Sequence, residues 1–212
     1  MANYGTGFPL NQSPILENGI WVSPPGNTFS TQVNTSGGIA FGTQTGTSGF
    51  DDSIALVTPD FGPNQTVTIK IHKAPVLSGT GFREVECILR ASATEWYEFN
   101  LAFDGQYQDI VYINNGAFTF LNPTPGSGGP AGQVVDGLNF TASVQGTTLS
   151  TYLNGVPWQS VTDTRLSSGK VGMGFYIEDS GSGGIVNDEY CADSFFATDG
   201  VNSVFFGSGT TG

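Results

Sequence analysis

Residues 96–113 read WYEFNLAFDGQYQDIVYI, and this stretch decides the fold. Apolar and polar side chains alternate through its first half, which is the period of a β-strand with one buried face. The apolar face carries Tyr97, Phe99, Leu101 and Phe103. Asp104-Gly105 then favours a two-residue hairpin turn, in which both central residues need positive φ. The stretch therefore predicts two antiparallel strands with one buried and one solvent-facing side.

The same alternation recurs along the chain, and no long segment has the helical period. It covers Thr66–Lys73, Glu84–Ala91, Leu138–Val144 and Val171–Ile177. Asn115-Gly116 and Asn154-Gly155 are further hairpin signals. The pattern predicts an all-β fold, an antiparallel two-sheet jelly-roll β-sandwich. Its predicted core contains Val67, Ile69, Phe99, Leu101, Phe140, Val144, Met173 and Phe175.

The 212 residues fit one sandwich domain, because such domains often run to this length. We expect residues 1–14 to form an N-terminal extension and residues 207–212 to form a flexible tail. Three loops rich in Gly, Pro, Ser or Thr, at 35–49, 122–132 and 179–184, do not separate regions of different composition. Cys87 and Cys191 occupy apolar strand positions, which predicts buried free thiols.

The net charge of −12, with six Lys and Arg residues, limits the partners. A nucleic-acid binder needs a basic surface, and an anionic membrane would repel this chain. Neutral ligands, cations and other proteins remain. Residues 1–7 show no signal peptide and no stretch approaches a membrane span, which indicates a cytoplasmic protein or one exported by another route, such as inside a virus particle released by lysis. We expect a virion protein assembled in a host cytoplasm. An extracellular location is the alternative.

Several segments resemble concanavalin-A-like and laminin-G-like jelly rolls. They are Ile88–Ser92, Tyr97–Phe99, Leu149–Gly155, Val161–Asp163 and Ser168–Gly172. In that superfamily, a strand ending in Asn-Gly is followed by a turn with Asp and Gly residues and a further strand. The resemblance implies the fold and leaves the function open, because its members include lectins, carbohydrate-binding modules, glucanases, lyases and appendages of virus particles.

Catalysis is not favoured by the residues available. Glucanases of this superfamily carry three acids on one strand, two of which act as nucleophile and acid. Here Glu84 and Glu86 match two positions, and Ile88 replaces the third. We therefore expect a solvated strand face and no enzyme activity. A glycoside hydrolase or polysaccharide lyase is the remaining alternative, although His72 is the single histidine.

The second face of the 96–113 hairpin is the candidate ligand site. If Phe103 pairs with Gln106, then Asn100 faces Asp109 and Glu98 faces Val111. The predicted glycan-binding residues are Arg90, Trp96, Glu98, Asn100, Tyr107, Asp109 and Tyr176. Such an aromatic and amide-bearing face is where lectin-like members of the superfamily bind glycans. In the alternative reading, a loop or a neighbouring subunit covers Trp96.

Calcium is the cofactor that the resemblance implies. Jelly rolls of this type often hold one Ca²⁺ through carboxylate and carbonyl oxygens. Asp193 resembles the acid of the superfamily's last strand, and Glu17 is the expected second ligand. Other acidic loop candidates are Asp51, Asp52, Asp179, Asp188 and Glu189.

These features predict a non-catalytic exterior protein of a phage virion, a capsid decoration or fibre component with glycan recognition. Its partners would be capsid proteins or glycans. A carbohydrate-binding module or lectin is the alternative. Apolar residues in Asn3–Pro14 and Val201–Phe206 predict a homo-oligomer or docking on a larger assembly. Closure of the sandwich by a terminal strand explains the same residues.

Overall fold

The computed structural model describes residues 2–24, 31–45, 52–79, 81–179 and 184–200. It is 55% strand and 3% helix, in two antiparallel sheets, which confirms the predicted sandwich. The described residues include no helix with the length and apolar character needed to cross a membrane.

Fifteen strands within the described residues form the two sheets. In chain order they are β1 Asn3–Thr6, β2 Trp21–Val22, β3 Asn34–Ser36, β4 Ile39–Phe41, β5 Ser53–Val57, β6 Gln65–Lys73, β7 Gly81–Ala91, β8 Glu95–Ala102, β9 Gln108–Asn114, β10 Ala117–Phe120, β11 Asn139–Gln145, β12 Thr148–Leu153, β13 Val156–Thr162, β14 Lys170–Asp179 and β15 Tyr190–Thr198. Short 3-10 turns at Glu17–Gly19 and Asn187–Glu189 precede β2 and β15.

One sheet has the order β13-β12-β11-β6-β15-β4-β3, with β1 also paired to β15, and the other has the order β10-β9-β8-β7-β14-β5-β2. The core lies between them. All eight predicted core residues are at most 2% exposed. Cys87 and Cys191 are buried there as free thiols.

The predicted register of the 96–113 hairpin is confirmed. Glu98 pairs with Val111, and Asn100 pairs with Asp109. The prediction of a two-residue turn is wrong, because β8 ends at Ala102 and β9 begins at Gln108. The Phe103 amide donates to the Arg83 carbonyl on β7 instead of pairing with Gln106. The strand positions keep their faces although the connecting loop is longer.

The N-terminal residues belong to the sandwich and are not a free extension. β1 pairs with β15, from Asn3 opposite Thr198 to Thr6 opposite Phe195. Phe8 is fully buried in the core. A terminal strand therefore closes this end of the sheet. Residues 201–212, which hold Val201–Phe206 and the predicted tail, lie outside the described residues.

Candidate functional site

A cleft of about 200 Å³ opens on the face of the seven-stranded sheet that points away from the core. Successive side chains of a strand point to opposite faces, so alternate residues of β7, β8 and β14 meet there. The polar side chains that line it are Asp52, Glu84, Glu98, Asn100, Tyr107, Asp109 and Tyr176. Five of the seven residues predicted for a ligand site thus share one cleft.

Hydrogen bonds fix several of these side chains. The Tyr107 hydroxyl donates to Glu84 Oε1. The Trp96 indole donates to Glu98 Oε2 at 2.9 Å, and the Tyr176 hydroxyl donates to Glu178 at 3.3 Å. These hydrogen bonds orient Glu84, Glu98 and Tyr107 in the absence of a ligand.

Asp109 attaches the Pro/Gly-rich loop 122–132 to the sheet. Its carboxylate accepts from Asn122 Nδ2 at 2.8 Å and from the Gly126 amide at 3.0 Å. Burial raises the pKa of Asp109, and these hydrogen bonds oppose the shift because they favour the ionised form. Gly126 lines the cleft as a result, so the long loop forms one of its walls.

Two predicted ligand residues do not line the cleft. Arg90 has φ +51° at an irregularity of the β7–β14 pairing, and its guanidinium donates to the carbonyls of Pro63, Gly146 and Leu166. It therefore ties loops together at the end of the sheet. Trp96 is 3% exposed and packs in a second apolar cluster with Ile88, so it offers no exposed platform for a sugar.

Glu86 lies beneath the cleft and joins an acidic cluster. The carboxylates of Asp52, Glu86 and Glu98 each have an oxygen within 4.8 Å of the other two, and all three residues are buried. Glu84 and Glu86 are 7% and 1% exposed. The expectation of a solvated strand face is therefore wrong, because both side chains are buried on the side of the sheet that carries the cleft.

Burial dominates the electrostatics of these acids. Burial raises the pKa of Glu84 to about 8, and the hydrogen bond from Tyr107 acts to lower it. Burial also raises the pKa of Glu98 to about 7, and hydrogen bonds from Trp96 and Asn100 act to lower it. The pKa of Glu86 is raised well above its usual value by burial and then by the charges of Asp52, Glu98 and Glu84. Ionising all of them together is therefore costly.

The basic side chains of the protein are engaged away from this cluster. Lys70 pairs with Asp193, His72 with Asp136, Arg83 with Glu189, Arg165 with Asp163 and Lys170 with Asp60, while Lys73 and Arg90 donate to backbone carbonyls. All six Lys and Arg residues and the one His lie in the described part of the chain. Five of the basic side chains therefore face other acids, and two face backbone carbonyls.

The two predicted calcium ligands have protein partners. Glu17 accepts hydrogen bonds from Tyr4, from Thr6 at 2.6 Å and from the Trp21 indole at 2.9 Å. Asp193 pairs with Lys70. Neither belongs to the acidic cluster, and a metal role for them stays a prediction.

The other acidic residues considered as calcium ligands lie in different parts of the structure. Asp52 joins the cluster. Glu189 accepts from Arg83 at 3.0 Å, and the carbonyl of Asp188 accepts from the Cys191 thiol. Asp51 and the side chain of Asp179 lie outside the described residues.

Aromatic side chains line the cleft or stand close to it. Phe118 and Phe120, on the edge strand β10, line it and are 36% and 47% exposed. Phe82 is 42% exposed and lies 6.4 Å from the Tyr107 ring, centroid to centroid. Phe118 and Phe120 were not among the predicted ligand residues, although the Asn115-Gly116 hairpin signal places residue 118 beside 113 and residue 120 beside 111.

Comparisons with known proteins identify the architecture. No family profile and no curated protein matches the sequence. Among solved structures, β-agarase A in complex with oligoagarose aligns with TM-score 0.60 at 11% identity, over 91% of this chain and 89% of that one. A β-1,3-1,4-glucanase (lichenase) from a mouse hindgut metagenome aligns with TM-score 0.56 at 13% identity, over 94% and 100%. The carbohydrate-binding module CBM66 of Bacillus subtilis aligns with TM-score 0.53 at 16% identity, over 76% and 92%.

These likenesses show a jelly-roll sandwich of the concanavalin-A-like type. At such low identity they establish the fold, and function has to be argued from the cleft itself.

Proposed function

We propose that this protein binds a neutral glycan in the cleft of the seven-stranded sheet. The observation that carries the proposal is the cleft's lining, where carboxylate, amide and phenol groups converge beside the partly exposed rings of Phe118 and Phe120. Sugars combine hydroxyl groups with apolar ring faces. Binding sites of this kind place a few oriented polar groups within an apolar or aromatic wall.

Charge and size narrow the ligand class. The cleft is lined by acids and by none of the six Lys and Arg side chains, on a chain of net charge −12, which disfavours uronic-acid and sulfated glycans. Its volume of about 200 Å³ lies below the range of roughly 300–1,000 Å³ typical of clefts for drug-sized ligands. It therefore fits one sugar ring, with the rest of the chain lying outside.

The structural neighbours support the same class. They include a carbohydrate-binding module, a β-1,3-1,4-glucanase and an agarase bound to oligoagarose. These proteins differ from this chain in most positions, so they suggest which glycans to try first. The first panel is β-1,3-1,4-glucan and agarose oligosaccharides, with alginate as an anionic control.

Isothermal titration of the panel tests the proposal. We expect binding to a neutral member and none to alginate. Replacing Phe120 or Asn100 with Ala should weaken binding at least about tenfold, the effect of losing about 1.4 kcal/mol. Val76 is 82% exposed and does not line the cleft, so V76A is the matched control. Binding that survives both cleft substitutions would place the glycan elsewhere and overturn the proposal.

Hydrolysis of the bound glycan is the second candidate, and one observation favours it. Glu98 on β8 pairs directly with Ile88 on β7, so an acid stands beside the position where the glucanase pattern has its third acid. Together with Glu84 and Glu86, it gives three carboxylates on neighbouring strands. Release of reducing ends that E98Q and E86Q abolish would establish hydrolysis. Binding without cleavage would leave recognition as the whole function.

A place on the exterior of a phage virion stays a prediction, as do the capsid partners and the homo-oligomer. Glycan recognition is compatible with that setting and does not depend on it.

A further inference from the structure

We propose that the acidic cluster at the floor of the cleft is a calcium site, with Asp52, Glu86 and Glu98 as carboxylate ligands. The site stands apart from the Glu17 and Asp193 positions. It also does not depend on glycan binding, because its ligands and its charge balance are properties of the protein alone.

The geometry suits a hard divalent cation. One oxygen of each of the three carboxylates lies within 4.8 Å of the others. Calcium binds oxygens at about 2.3–2.6 Å, so two ligands on opposite sides of the ion are about 5 Å apart and neighbouring ligands are closer. The three oxygens already lie within the span of one coordination sphere.

Two unsatisfied oxygens point to a ligand that the protein itself does not supply. Glu86 Oε2 and Asn100 Oδ1 are buried and have no hydrogen-bond partner among the described residues. Glu86 is 1% and Asn100 8% exposed, and the two residues are paired across β7 and β8. Leaving a buried polar atom unpaired destabilises a fold. A cation bound by Glu86 would satisfy Oε2, and the amide oxygen of Asn100 on the neighbouring strand is a further unsatisfied acceptor.

The charge balance at Glu86 and Glu98 leaves room for an external cation. Glu86 and Glu98 have no basic partner among the ion pairs of the described residues, and every Lys, Arg and His side chain is engaged elsewhere. Buried charges in proteins are paired, neutralised or bound to a metal. With no basic side chain beside them, Glu86 and Glu98 favour the protonated form, and an external cation would allow them to ionise.

The cleft gives the ion a route to this site. Asp52 and Glu98 line the cleft, while Glu86 lies behind them. An ion entering from solvent would meet the first two carboxylates and then the third. Water in the cleft would complete the six to eight oxygens that calcium takes.

Terbium(III) luminescence tests the site directly, because terbium replaces calcium at oxygen sites and is excited through a nearby indole. The chain has three tryptophans, Trp21, Trp96 and Trp158. Trp96 donates to Glu98 of the proposed site, whereas Trp21 donates to Glu17 of the other candidate. We expect luminescence from the glycan-free protein that calcium competes away, W96F abolishes and W21F retains.

Ligand substitutions measured by calcium titration complete the test. E86Q keeps the shape of the side chain, and it should weaken calcium binding at least about tenfold. D193N alters an acid on the other sheet and should leave the affinity unchanged. W96F should still bind calcium in the titration, which separates loss of the antenna from loss of the site. Circular dichroism of each variant verifies that it is folded.

Three results would overturn the proposal. They are the absence of both luminescence and calcium-induced thermal stabilisation, calcium binding that E86Q leaves intact, and luminescence that depends on Trp21 in place of Trp96. Because the titrations contain no glycan, each of these results leaves the proposed glycan binding standing.

Discussion

Gly174 on β14 lies directly against the carboxylate of Glu86 on β7. The two residues are paired across the strands, and a Cβ at position 174 would come within 2.1 Å of Glu86 Oε2. Glycine at this position therefore leaves the space that the buried acid occupies. A strand interior loses stability from glycine, so its presence here is explained by the close approach of the acid.

Replacing Gly174 with Ala should displace Glu86. We expect the free energy of unfolding to fall by about 1–3 kcal/mol, as for other insertions into packed interiors, and the calcium response to be lost with it. Urea denaturation with and without calcium measures both effects. G7A is the control, because Gly7 has no atom within 4 Å of an added Cβ. Equal effects of the two substitutions would contradict this account.

The core prediction concerns Phe99. It is fully buried between the sheets, so F99A removes a large apolar side chain and leaves a cavity. We expect a loss of about 3–5 kcal/mol in urea denaturation. F120A removes an equal ring that is 47% exposed, and it should change stability by at most about 0.5 kcal/mol. A loss for F99A as small as that for F120A would be incompatible with the described core.

The site residues that lie close together in the sequence were predictable, and those brought in from distant segments were not. The alternation of side chains and the turn signal predicted which residues of the 96–113 hairpin share a face. The strands pair in that register although the connecting loop is longer than predicted. Asp52 reaches Glu86 only because β14 pairs with both β5 and β7. β14 begins more than 80 residues after Glu86 in the chain. No spacing rule connects such positions.

Departures from regular strand geometry account for other differences. Arg90 leaves its expected face because the backbone there has positive φ, a local feature that alternation does not reveal. Trp96 keeps its predicted face but is buried, in an apolar cluster with Leu56 and Ile113. Which residues of a strand face are buried depends on how segments distant in sequence pack against it, and the alternation of side chains does not predict that packing.

The acid sensitivity of the chain should depend on Asp199. Its carboxylate accepts from the Gly62 amide at 2.8 Å and from the Ala2 amide, and these hydrogen bonds lower its pKa. A lowered folded-state pKa stabilises the fold at pH values above the unfolded pKa, and the contribution disappears as pH falls through the folded value. Thermal melts from pH 7 to pH 3 should therefore show a larger loss for wild type than for D199N. Parallel curves would contradict a role for this carboxylate.

The last prediction separates a packed terminal strand from an arm that joins subunits. Deleting residues 2–8 removes β1 and the fully buried Phe8, and it leaves the buried Glu17 without its hydrogen bonds from Tyr4 and Thr6. We expect the free energy of unfolding to fall by more than about 3 kcal/mol, the lower end for loss of a core Phe.

The matched control is Y4F, which removes the hydroxyl but keeps the ring that packs 5.7 Å from Trp21. It should cost only about 1.5–3 kcal/mol, the usual contribution of a hydrogen bond to a charged group. Light scattering distinguishes the two roles. A subunit-joining arm would lower the mass on deletion while the melting temperature stayed the same. A strand of the sandwich lowers the melting temperature and leaves the state of association as it was, and the pairing of β1 with β15 in the same chain favours this second outcome.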